Sequence, residues 1–131
     1  MRVVFDTNIL VSALALPGGA ADRALRRIID GADRLIVAKP IIDELLGVLA
    51  RKFSHDLDAL GRTAIFLTDL AEVVVRRTRL KILHDDADNR ILECAMSGRA
   101  DAIVTGGRAI LKLGHIDRTR IVSLRRYLDP G

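Results

Sequence analysis

Short apolar runs without internal alternation recur along the chain: Val3-Val4-Phe5, Leu35-Ile36-Val37, Val73-Val74-Val75, Ala102-Ile103-Val104 and Ile121-Val122. A strand with one wet face alternates apolar and polar residues. A continuous run reads instead as a strand buried on both faces, the signature of a parallel sheet covered by helices. The stretches between the runs carry helical spacing. Asn8 to Leu16 opens a helix that Pro17-Gly18-Gly19 closes, and Ala21, Leu25, Ile28 and Ile29 form a stripe that stops before Gly31. Pro40 suits a first helical turn, and Ile41, Leu45, Val48 and Leu49 line the helix after it. Leu57, Leu60, Ala64 and Leu67 predict another amphipathic helix. Asp88 opens the next, with Ile91, Leu92 and Ala95 inward. Ile110, Leu111 and Leu113 suggest a short helical piece, and a last turn ends near Tyr127. Strand and helix in alternation predict an α/β domain with a central parallel sheet. At 131 residues the chain fits one domain, 1–131.

Composition narrows the function classes. The single cysteine, Cys94, lies among Ile91, Leu92, Ala95 and Met96, so it reads as a small buried hydrophobe. One cysteine permits no internal disulfide, which fits a reducing cytoplasm. Asp6 interrupts the apolar start before a secretory core can form, and Ile9 to Leu16 is too short to span a bilayer, so no membrane role is expected. Lys and Arg outnumber Asp and Glu by 21 to 17, which permits a polyanionic partner. Seventeen of those basic residues are Arg, the better bidentate phosphate binder, although taken alone a solvated Arg-rich surface is the better explanation of them. Three Phe, one Tyr and no Trp exclude a surface of stacked aromatic platforms for nucleic-acid bases.

In open α/β sheets ligands bind beyond the carboxyl ends of the strands, so polar residues just after strands are the candidates. Asp6, Thr7 and Asn8 follow the first run, and Thr105 follows the fourth. Asp6 either caps the next helix or meets a cation. Glu44 shares a helix face with Ile41 and Val48, which places it on the buried side, paired with Arg51 or Arg90 or bound to metal. Asp88, in Asp85-Asp86-Ala87-Asp88-Asn89, caps a helix, joins a carboxylate cluster, or does both. Such oxygen ligands suit Mg²⁺ or Mn²⁺. The three His are scattered at 55, 84 and 115, and no zinc spacing appears. Neither a P-loop, nor a G-x-S-x-G, nor a G-x-G-x-x-G is present.

At these residues the sequence resembles the PIN-domain family, particularly its bacterial toxin–antitoxin (VapC-like) branch. Val3 to Ser12 is similar to the family's opening motif, Ile42-Asp43-Glu44-Leu45-Leu46 to its second, Asp85 to Ala95 to its third, and Ala100 to Gly106 to its fourth. The resemblance implies a three-layer α/β/α fold with strand order 3-2-1-4-5. It implies a metal-dependent endoribonuclease that cuts RNA with Mg²⁺ or Mn²⁺ held by Asp6, Glu44 and Asp88. Asn8 and Thr105 would position ligands or water. An antitoxin protein and a homodimer are the partners it suggests. The family usually carries an acid directly after Thr-Gly and often another two residues on; here those positions are Gly107 and Ala109. A degenerate, non-catalytic PIN module is therefore the alternative. A phosphotransfer domain is a third reading, and it lacks a second acid at Asn8 and a lysine soon after Val104 or Val122.

Overall fold

A computed structural model describes residues 1–129. The elements run β1 (Arg2–Phe5), α1 (Thr7–Ala15), α2 (Ala20–Ile29), β2 (Arg34–Ala38), α3 (Lys39–Phe53), α4 (Leu57–Leu70), β3 (Glu72–Val74), α5 (Asp86–Ser97), β4 (Ala102–Val104), α6 (Arg108–Leu113), β5 (His115–Ile116), β6 (Thr119–Val122) and α7 (Leu124–Leu128). All five expected strands form. Their order is β3-β2-β1-β4-β6-β5, so the expected fifth strand, Ile121-Val122, takes its place beside β4. The difference from the expected order is the added two-residue β5, which turns back antiparallel on β6 at the sheet's margin. Its residues, His115 and Ile116, are too few to leave a period in the sequence. The other four pairings are parallel.

The continuous apolar runs behave as their composition demands. Val3, Val4, Leu35, Ile36, Ile103 and Val104 are fully buried, because helices cover the sheet. α5 packs against β1, β2 and β4. Its end comes so close that a Cβ at Gly98 would lie 2.4 Å from Ile36 Cγ2. Cys94 is buried, as expected, and burial pushes its thiol up to about 12.

Three expectations fail at the margins. Ile29 and Leu57 are exposed rather than inward, and of the α4 stripe only Leu67 is fully buried. Both lie at helix ends, where the stripe runs past the last covering neighbour. Val73 on the edge strand β3, which pairs with β2 alone, also faces solvent, as does Val75, which was expected in the strand but lies just beyond it. None of the described helices is long and apolar enough to cross a membrane.

Candidate functional site

β1 has β2 on one side and β4 on the other, so the order reverses at the β1–β4 boundary. In open α/β sheets such a boundary is where a ligand crevice forms beyond the strands' carboxyl ends. Asp6 is the first residue past β1, and its N–H still joins the ladder, donating to Val104 O at 2.9 Å. The residue is 8% exposed. It caps α1 by accepting the Asn8 N–H at 3.4 Å on Oδ1, while Thr105, buried at the end of β4, donates its hydroxyl to Oδ2 at 2.6 Å. The Gly107 N–H donates in turn to Thr105 Oγ1 at 2.9 Å. Asp6 thus caps a helix, the role the sequence left as the alternative to a cation, and it is also held by a second strand. Asn8 contributes its backbone, and its side chain is exposed. Thr7 Oγ1 is buried with no hydrogen-bond partner among the described residues.

Glu44 corrects the sequence reading. It is exposed, not on the buried face of α3. Ile41, Ile42, Leu45 and Leu49 define that face. At about 100° per residue Glu44 stands roughly 115° from its centre, on the flank beside half-buried Val48. Neither Arg51 nor Arg90 forms a salt bridge with it. Arg90 joins Glu93 instead, with Nε 2.8 Å from the carboxylate. Arg51 folds back along α3, its guanidinium 2.9 Å from where a Gly47 Cβ would be, and its charge favours the ionised Glu44.

The Glu44 carboxyl is nevertheless raised above the usual range. Partial burial of the carboxyl comes first, then the negative charges of Asp6, Asp85 and Asp88. Asp88 is raised likewise, by burial and then by Asp85 and Asp6. Asp85, not Asp88, is the N-cap of α5, accepting the Asp88 N–H at 3.2 Å. The Asp88 side chain, one turn in, is therefore free of the capping role. Acids from β1, α3 and α5 share one electrostatic neighbourhood at the crevice. Among the described residues no three His, Cys, Asp or Glu side chains form a ready-made metal cage. By donor type and by charge the set fits a hard divalent cation: all its ligands are oxygens, and they repel one another with Arg51 as the compensating charge.

The segment that leads to Asp85 is irregular, and two buried polar residues of α5 hold it. Asn89, fully buried, accepts the Ile82 and Leu83 N–H groups at 3.2 and 2.9 Å and donates to Leu83 O at 2.8 Å. Glu93, 1% exposed, accepts the Leu80 N–H at 2.7 Å and pairs with Arg76 and Arg90. Burial works to raise the Glu93 carboxyl, but the Leu80 N–H and the two guanidiniums hold it below its ordinary value. Sequence reasoning missed both positioning roles. The available signal was a Glu inside the apolar run Ile91-Leu92-Glu93-Cys94-Ala95.

Gly107, where the resemblance expects an acid, caps α6 in an ordinary backbone conformation. A Cβ there would stand 3.4 Å from Thr105 Oγ1 and 3.7 Å from Asp6 Oδ2. A side chain at 107 would therefore start beside Asp6. Asp101, by contrast, lies at the opposite end of the strands, where it accepts the Arg2 N–H at 2.8 Å.

Residues 2–109 match the family model described as PIN domain. An uncharacterized protein of Methanocaldococcus jannaschii is 23% identical over 117 residues, covering 86% of this chain and 75% of that protein. Among solved structures, VapBC2 from Rickettsia felis bound to a DNA fragment from their promoter includes a similar chain. The TM-score is 0.64 at 17% identity, over 94% of this chain and 98% of that one.

Proposed function

The chain belongs to the PIN-domain family, and on that premise we propose that residues 1–131 form one nuclease unit that cuts RNA with a divalent metal. The observation that carries the proposal is that Glu44 and Asp88, from separate helices, are both raised by partial burial and by the charges of Asp6 and Asp85 near the strand-order reversal. Asp6, Glu44 and Asp88 would hold Mg²⁺ or Mn²⁺. Bound there, the ion would supply Lewis acidity and a water of lowered pKa. Asp6 is fixed by Thr105 and by the α1 backbone, so it anchors the set. Glu44 and Asp88 are more accessible, and they would swing inward when the charge is neutralised. Asn8, exposed at the start of α1, would orient water or a phosphate oxygen. The expected assay result is cleavage of single-stranded RNA in Mn²⁺ and its loss in Asp6→Asn, by at least 100-fold. A wild type as inert as the variant sinks the reading.

The toxin role of a toxin–antitoxin pair follows from the resemblance and from the likeness to a chain of the Rickettsia felis VapBC2 structure. It supplies an antitoxin partner, a cytoplasmic setting and a homodimer as parts of the same proposal. Co-expression with the product of an adjacent small gene should relieve growth inhibition if that role is right.

A non-catalytic PIN module is the second reading, and Gly107 is the observation that favours it. A Cβ at 107 would sit at ordinary contact distance from Thr105 and Asp6. Gly107→Asp should raise cleavage tenfold or more if the missing carboxylate limits the site. An unchanged rate would locate the limit elsewhere.

A further inference from the structure

The amino ends of the strands carry a second, oppositely charged feature. A cavity of about 580 Å³ is lined there by Arg27, Arg118, Arg120 and Arg126, with Tyr127 and Asp101 among its other walls. Four separate elements bring the guanidiniums together. Arg27 comes from α2, Arg118 from the turn between β5 and β6, Arg120 from β6 and Arg126 from α7. Arg27 is committed: it pairs with Asp33 at 3.2 Å and lies 5.2 Å over the Tyr127 ring. Arg118, Arg120 and Arg126 are exposed and form no salt bridge among the described residues. Asp101 is the one acid in the lining, and the Arg2 N–H already engages it.

An adjoining cleft of about 560 Å³ shares Asp101 and Arg118 and adds Arg99 and a second acid, Asp117. Arg99 is also exposed and without a salt bridge among the described residues. Together the two clefts are lined by five arginines against two acids, Asp101 and Asp117, so they form a track in which arginine is in excess. Uncompensated guanidiniums held on a concave surface raise the local potential for anions, and their planar forks match phosphate oxygens. Tyr127 is 5% exposed and its hydroxyl is given to Asp33, so no aromatic face is offered for base stacking.

We propose that this track binds the phosphodiester backbone of a nucleic-acid strand, without base readout, at the end of the sheet remote from the acids. The inference goes beyond the nuclease reading, and its test uses no cleavage. Asp6→Asn protein in EDTA is titrated into a labelled oligo-uridine 12-mer and followed by fluorescence anisotropy. Three phosphate contacts predict a log–log salt slope of roughly 2. Arg118→Glu/Arg120→Glu should weaken binding tenfold or more and flatten that slope. Arg108→Glu, on the acid side, should change it less than about twofold. Circular dichroism of each variant checks folding, and Arg118→Gln/Arg120→Gln should fall between wild type and the reversal.

An unchanged affinity in the reversal variant overturns the proposal, as does a loss confined to the acid-side variant. Displacement by inorganic phosphate at matched ionic strength would assign the track to a free phosphate and overturn the strand. Equal binding of a poly-glutamate peptide of the same charge would overturn it in favour of an acidic protein. Because metal and catalysis are absent from the assay, failure here leaves the nuclease reading standing, and an inert nuclease leaves this one standing.

Discussion

Asp85 caps α5, and this releases Asp88, at the third helical position, to face the crevice. There it meets Asp6 and Asp85, which disfavour its ionised form. A carboxyl raised in the folded state destabilises the fold once pH exceeds that raised value, and the penalty disappears below the unfolded value near 4. Asp88→Asn should therefore add roughly 0.5–1 kcal/mol at pH 7, a rise of about 2–4 °C in melting temperature, and little at pH 4. Thermal melts at the two pH values check this; destabilisation at pH 7 contradicts it. At this scale the sequence was legible where a residue abuts a strand. Asp6 and Thr105 come straight after apolar runs, and the sheet sets them in contact. Glu44 was misread because apolar neighbours at i−3 and i+4 place a residue near a stripe without deciding between its centre and its flank.

Between β3 and α5 the backbone has no regular structure from Val75 to His84, and side chains of α5 replace the missing ladder. Glu93 is central, since it satisfies one buried N–H and two guanidiniums. Its folded pKa is depressed, so its stabilisation is full above the unfolded value near 4.3 and is lost as pH falls toward the folded value. Glu93→Gln should cost about 3 kcal/mol at pH 7, leaving Arg76 and Arg90 without their counter-charge. The gap between wild type and variant should narrow on acidification well below pH 4, as urea midpoints at pH 7 and pH 2.5 would reveal. A constant gap would mean packing rather than charge. The helices and strands themselves were readable from period and punctuation. The clamped segment was not, because its order comes from residues ten or more positions away rather than from its own pattern.

Strand order decides where charge gathers over the molecule. Asp6 just after β1, Glu44 on α3 and the acids at the start of α5 feel one another's charge beyond the carboxyl ends of the strands, whereas arginines from α2, β6 and α7 line one cavity at the amino ends. The acidic set was expected only through the motif resemblance, and the basic one leaves no pattern along the chain, where acidic and basic residues are interspersed. The acidic grouping has a thermodynamic consequence. Mn²⁺ at a hundredfold excess over its Kd should stabilise the fold by about 2.7 kcal/mol. Differential scanning fluorimetry should show the shift in wild type and its loss in Asp6→Asn; equal shifts in both would move the ion elsewhere.

The edge strand β3 leaves Val73 and Val75 open to solvent beside unshared backbone. An extended segment from another molecule would find a template there. Glu72 and Arg77 stand at either end of that template, and the Arg77 N–H is already taken by Ser97 Oγ at 2.9 Å. Docking a foreign strand would bury those charges against it, so the same short edge that exposes valine also discourages self-templated growth into fibrils.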